Sequence, residues 1–146
     1  MNIEVRPACL GDKIMLTPLM AELGYPTSPD ELAVRLATIL AREDFATFVA
    51  EVDGTIAGMI CVTLAPSLYR DGLQGAIVAL IVSPAFRGHG LAALLVERGE
   101  HWLASNGARR AAVNPSTHRG DAHRLYARLG YEATGTRFTK TLPISG

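Results

Sequence analysis

Apolar positions along the chain change period several times, and each change marks an element. Residues 2–6, NIEVR, alternate as a short strand does. Residues 10–23, LGDKIMLTPLMAEL, place Ile14, Leu16, Leu19 and Met20 roughly on one side of a helix that Gly24 ends. In TSPDELAVRLATILAR, Ser28 is an N-cap, Pro29 takes the first helical position and Glu31 completes a capping box, ahead of apolar Leu32, Leu36, Ile39 and Leu40. FATFVAEVDGTIAGMICVTL has strand-forming runs on both sides of Asp53-Gly54, which predicts a hairpin. GAIVALIVS, residues 75–83, is apolar on both alternating faces, as in a central strand covered on both sides. Leu91, Leu94, Leu95 and Trp102 then form a helical stripe that SNG, residues 105–107, stops. ARRAAVN, residues 108–114, predicts a strand. GDAHRLYARLG, residues 120–130, predicts a short helix with Ala122, Leu125, Tyr126 and Leu129 on one face. YEATGTRFTKTL predicts a closing strand, interrupted at Gly135. The order βααβββαβαβ implies an α/β protein, a mixed sheet with helices on its faces.

Composition narrows the function classes. The 146 residues are 49% hydrophobic and 6% aromatic, which suits one globular domain, residues 1–146, with a real core. Lys plus Arg and Asp plus Glu each number 14 with no long block of either sign, which argues against a nucleic-acid partner. No run approaches membrane-spanning length, and the amino terminus lacks the basic-then-apolar layout of a signal peptide. Cys9 and Cys61 are far apart and in no metal or redox spacing, so both read as structural, in a reducing compartment. The expectation is a cytoplasmic protein with no membrane partner and no bound metal; a homodimer is compatible with it.

The richest local chemistry lies in SPAFRGHGLAALLVERG, residues 83–99, where two glycines separate a strand from a helix. Such a turn grips anions, because the first N–H groups of a helix have no internal partner and the helix dipole favours negative charge there. Gly88-His89-Gly90-Leu91-Ala92-Ala93 also fits the dinucleotide pattern G-x-G-x-x-[GA]. Against that reading, five residues intervene between Val82 and Gly88, the next predicted strand ends in Asn114 rather than an acid, and too little chain follows for a doubly wound sheet. No Gly-Lys-Ser/Thr follows either, which excludes a P-loop. A glycine-rich connector with no ligand is the bland alternative.

VSPAFRGHGLAALLVERG resembles the acetyl-CoA-binding segment of the GNAT superfamily of N-acetyltransferases. Its pattern, [RQ]-x-x-G-x-[GA] after a V-x-P strand end, is met by Arg87, Gly90 and Ala92. A second family signature, A-x-x-[LF]-Y-x-x-x-G-[FY], is met by Ala122, Leu125, Tyr126, Gly130 and Tyr131. The order of elements along nearly the whole chain also follows the family. LGYPTSPDEL, DAHRLYARLGYE and RFTK look most like a bacterial branch of small-amine acetyltransferases that includes aminoalkylphosphonate N-acetyltransferases. The resemblance implies a mixed, mostly antiparallel twisted sheet flanked by helices. It also implies an enzyme that moves an acetyl group from acetyl-CoA to a primary amine of a small molecule by direct attack.

On this reading the backbone from Arg87 through Gly88, His89, Gly90 and Leu91 to Ala92 holds a pyrophosphate, with Arg87 adding charge and His89 contributing N–H rather than imidazole chemistry. The resemblance implies that the backbone of Ile81 and Val82 binds the pantetheine arm as an added strand would. Backbone donors at the strand end would stabilise the oxyanion. It also implies that Tyr126, otherwise a plausible core tyrosine, protonates the departing thiolate. Many relatives carry asparagine where this chain has Arg119; Arg119 and nearby Asn114 are candidate cofactor contacts. Tyr25 and Tyr69 are candidates for the substrate side. Relatives often place glutamates in the long strand to draw a proton from the amine, but here those positions are Ala76 and Val78. Glu22, Tyr25, Tyr69 and His118 are alternatives for the base, and a CoA-binding module without turnover is the rival function. His101, His118 and His123 form no metal spacing.

Overall fold

The computed structural model describes residues 1–113, 120–134 and 138–144. Met1–Val113 and Asn114–Gly146 form two compact units. In the first, β1 (Ile3–Pro7), β2 (Phe45–Val52), β3 (Thr55–Pro66), β4 (Leu73–Val82) and β5 (Ala108–Val113) make one sheet in that spatial order. The pairs are antiparallel up to β3–β4, and β4–β5 is parallel. This is the mixed, mostly antiparallel sheet the sequence led us to expect. The β2–β3 hairpin turns at Asp53 (φ 49°) and Gly54 (φ 84°), as its two turn residues predict.

Helices α1 (Lys13–Leu23) and α2 (Pro29–Leu40) cover one face of the sheet. Their Leu16, Leu19, Leu32 and Leu36 pack with Val49, Met59 and Ile81 in one core cluster. The start of α2 is the predicted one: the Ser28 hydroxyl accepts from Glu31 N–H, and Ser28 N–H donates to Glu31 Oε1, both at 3.1 Å. Ile14 is an exception to the expected stripe. It is exposed, because two residues before Leu16 means about 200° around the helix, and the buried stripe runs instead through Leu16 and Leu19.

Alternation along β2 turns Phe48 to the other face, where α3 (Leu91–Ser105) packs. Leu91, Leu95, Val96 and Leu103 are buried. At Gly99 a Cβ would come within 3.0 Å of Ile60 and Val62, so glycine lets α3 approach β3 closely. Leu94, expected in the stripe, is partly exposed, since one residue from Leu95 rotates it toward the flank.

The second unit holds α4 (Gly120–Arg128). The predicted closing strand is not found: residues 131–134 and 138–144 have no strand pairing, and Gly135 lies outside the described residues. Phe138, Leu142 and Ile144 are exposed, so the strand-forming side chains there have no packed face to align them.

Candidate functional site

The site begins with a change in the neighbours of β4. Its pairing with β5 runs from Leu73↔Ala108 to Ile77↔Val113. Beyond Ile77, among the described residues of this unit, β4 is paired only with β3, through to Val82↔Gly58. The change coincides with a β-bulge: Cys61 faces Ala79 and Val62 faces Ile77, leaving Val78 as the extra residue. Val78 is 53% exposed while Ile77 and Ile81 are buried, so the strand expected to be covered on both sides is uncovered at the bulge. From Val78 to Val82 the backbone therefore has one side open to hydrogen bonding, which a peptide-like ligand can use as an added strand does.

That open edge leads directly into the glycine turn. Ser83 N–H donates to Ala57 O at 2.7 Å, anchoring the strand end, and a short 3-10 turn at Pro84–Phe86 brings the chain to Arg87. Gly88 and Gly90 have φ of 85° and 76°, the left-handed region that glycine enters without strain. Beyond the adjoining residues, no atom lies within 4 Å of where a Cβ on either would stand, so the space before them is open to a ligand. Gly90 is the N-cap of α3 and supplies no capping side chain. The first helical hydrogen bond is Leu94 N–H to Gly90 O at 3.2 Å, which leaves the N–H groups of Leu91, Ala92 and Ala93 without helical acceptors. With exposed Arg87 and His89 beside them, these donors make a cradle suited to a phosphate-bearing ligand.

Predicted residues Ile81, Val82, Arg87, Gly88, His89, Gly90, Leu91 and Ala92 thus occupy one continuous strand end, turn and helix start. Ala76 and Val78 lie on the same strand, and neither provides a titratable group. Tyr25, in the connection after α1, and Tyr69, in the β3–β4 loop, are exposed, Tyr69 to 92%, and among the described residues neither ring contacts another aromatic. Asn114, His118 and Arg119 lie outside the described residues. Among the described residues no group of His, Cys, Asp or Glu could hold a metal ion.

In the second unit, Tyr126 is 8% exposed and its ring meets Tyr131 edge-on at 5.7 Å. The backbone explains the pairing. Tyr131 N–H donates to Tyr126 O at 2.9 Å and Gly130 N–H to Ala127 O at 3.1 Å, with Gly130 at φ 92°. This is a Schellman cap, in which the residue after the glycine folds back on the last turn. The Gly-Tyr of the second signature is therefore explained by helix termination. Burial raises the Tyr126 phenol above its ordinary value, so it holds its proton at neutral pH.

Cys61 is buried, its thiol pushed up by desolvation, and accepts a hydrogen bond from Thr47 Oγ1 at 3.5 Å; Cys9 is exposed, and both are free. No helix among the described residues is long and apolar enough to cross a membrane.

Comparison with known proteins matches this architecture. The chain is 33% identical over 90 residues to an aminoalkylphosphonate N-acetyltransferase of Salmonella typhimurium, a match covering 62% of this chain and 58% of that protein. It is 26% identical over 115 residues to an aminoglycoside N(6')-acetyltransferase type 1 of the same species, covering 75% of this chain and 79% of that protein. Its fold superposes on an aminoglycoside N-acetyltransferase, AAC(6')-Iy, solved in complex with CoA, with a TM-score of 0.85 and 20% identity, covering 98% of this chain and 96% of the other. The model of the acetyltransferase (GNAT) family matches residues 15–131, taking in the open strand edge, the glycine turn and the capped helix, and to that family the chain belongs.

Proposed function

We propose that this chain is an acetyl-CoA-dependent N-acetyltransferase acting on a primary amine of a small molecule in the cytoplasm, by direct attack and without a covalent enzyme intermediate. The observation that carries the reading is the second half of β4, open along one edge among the described residues, running into the two left-handed glycines at the head of α3. The open edge suits the amide-bearing pantetheine arm and the turn suits a pyrophosphate, which is the polar character of CoA in order along its length. The names of the aminoalkylphosphonate and aminoglycoside relatives support a small-molecule amine as acceptor.

Acetyl-CoA supplies an activated acyl carbon. The chain's part is to hold it and to manage protons. Backbone N–H groups from Arg87 to Ala92 bind the pyrophosphate, Arg87 adds charge, and the backbone of Ile81 and Val82 aligns the arm. Asn114 and Arg119 add cofactor contacts, and Tyr25 and Tyr69 face the acceptor. The Tyr126 hydroxyl donates its proton to the sulfur as the carbon–sulfur bond breaks, and the tyrosinate is reprotonated from solvent. Burial keeps the phenol protonated and by the same measure makes it a weaker acid, so donation coincides with bond breaking rather than preceding it. With Ala76 and Val78 apolar, the amine loses its proton to water or arrives neutral.

Those two apolar positions favour one rival, a CoA-binding module without turnover. Thiol release from acetyl-CoA across a panel of aminoalkylphosphonates and aminoglycosides, with CoA binding measured calorimetrically, separates the two. Transfer to at least one amine, reduced about 100-fold or more in Tyr126→Phe at unchanged CoA affinity, supports the enzyme. Tight CoA binding with no transfer to any amine supports the module. Near-normal turnover in Tyr126→Phe removes that residue as the acid.

A further inference from the structure

The first unit has a second concave feature that the acetyl-transfer reading does not use. A cavity of about 250 Å³ lies where the end of β1, the end of α2, the start of β2 and the middle of α3 meet. Its β2 residue Phe45 registers with Thr63 and through it with Ala76, away from Val82 and the glycine turn, while Phe48 registers with Ile60 and through it with Leu80, with β3 standing between it and the open edge of β4. The walls are largely apolar, with Ala8, Leu40, Phe45, Phe48 and Trp102 among them, and one charged side chain lines it, Arg98 of α3.

Two arginines stack on the aromatic walls, and they differ in one respect. Arg42 stands 5.7 Å from the Phe45 ring centroid and is neutralised by Asp44 at 2.7 Å. Arg98 stands 4.2 Å from the Phe48 centroid, and among the described residues it has no carboxylate within 4.0 Å. Stacking holds its cationic guanidinium at the cavity. A planar fork of donors held beside an apolar hollow is complementary to an oxyanion carried on an apolar body, and it repels a cation. The ammonium group of the acceptor in the proposed reaction is therefore disfavoured beside Arg98.

We propose that this cavity is a binding site for a small carboxylate with a planar apolar body, the carboxylate paired with Arg98 and the body seated among Leu40, Phe45, Phe48 and Trp102. The volume lies just below the usual range for ligand pockets, which limits the body to about one ring. The site stands apart from the reading of the turn and does not depend on it.

Trp102 is the chain's single tryptophan, so its emission reports occupancy of this cavity. The experiment titrates 3-phenylpropanoate, and separately its neutral isostere 3-phenylpropanamide, into the full chain in the presence of excess CoA. A saturable change in Trp102 emission is expected with the acid, and binding about tenfold weaker with the amide. Arg98→Met keeps a flexible apolar side chain over Phe48 and removes the fork, so acid binding should fall by about tenfold while amide binding stays. Equal affinity for acid and amide in the unaltered protein overturns the proposal whatever the variant does. Absence of a saturable change up to about 10 mM, a range that still detects binding far weaker than most metabolite sites, overturns it too. Displacement of the acid by CoA, or undiminished acid binding in a folded Arg98→Met protein, has the same consequence.

Discussion

The outer edge of β1 and, on the side away from β3, the second half of β4 both present backbone without a neighbouring strand among the described residues, and the chain treats them differently. β1 is five residues long, ends in Pro7, and carries Arg6, which is held by Glu51 at 2.6 Å and Asp12 at 2.8 Å. Short length, proline and charge are the usual ways to stop an edge from recruiting another strand. Residues 78–82 of β4 read Val-Ala-Leu-Ile-Val, with no charge, no proline and an exposed side chain at the bulge. One edge is closed by chemistry and the other is left ready to pair. An unprotected edge beside a turn with free N–H groups is the arrangement an extended, phosphate-bearing ligand requires, which is why the difference bears on function.

The largest loss of stability is expected at β1. Asp12 accepts two bonds from Arg6, at 2.8 and 2.9 Å, and one from Cys9 N–H at 2.8 Å, and it is buried. Asp12→Ala should cost about 2–4 kcal/mol of stability, read as a shift in denaturant midpoint, because it leaves a partly buried guanidinium short of a partner. CoA affinity per folded molecule should not move. A parallel loss of CoA affinity would mean that the two edges are not independent.

At the other edge, Gly90→Val should weaken CoA binding by tenfold or more, about 1.4 kcal/mol by calorimetry. Because φ at Gly90 is 76°, valine also strains the fold there, by about 1–2 kcal/mol. Gly90→Asn tolerates that φ and separates the effects: its stability should stay near that of the parent while its CoA affinity falls. Unchanged affinity in a folded Gly90→Asn and Gly90→Val pair would remove the turn from the binding site.

A smaller effect distinguishes the edges by pH. The Arg6 hydrogen bonds hold Asp12 below the usual carboxylate range, outweighing the burial that opposes them. Its folded value thus lies below its unfolded one, so the stability it contributes is complete above about pH 4 and is lost as pH falls through the folded value. Asp12→Asn should flatten that acid limb of the stability curve. An unaltered limb would assign the acid sensitivity to other carboxylates. The smallest effect belongs to Val78, whose exposure predicts that Val78→Thr shifts stability by less than about 0.5 kcal/mol.

Features set by near neighbours were legible in the sequence. Ser28, Pro29 and Glu31 define a helix start within four residues, and Asp53-Gly54 defines a turn within two. The glycine turn was legible for the same reason. What depends on tertiary neighbours was not. Nothing in GAIVALIVS distinguishes the half of β4 that pairs with β5 from the half that does not, since both are equally apolar. The bulge at Val78 depends on register with β3 and has no local signal. YEATGTRFTKTL has the composition of a strand, but a strand exists only where an edge receives it. The stacking of Arg98 on Phe48 joins residues 50 positions apart and could not be read from either segment.

Amide hydrogen exchange of the whole chain, followed with and without CoA, tests the central claim that the open edge and the glycine turn together form the CoA site. Exchange should slow within Val78–Val82 and at residues 88–93, with Ile3–Pro7 unchanged. CoA binding that slows exchange elsewhere and leaves both of those segments unaffected would contradict it, as would the absence of any CoA binding.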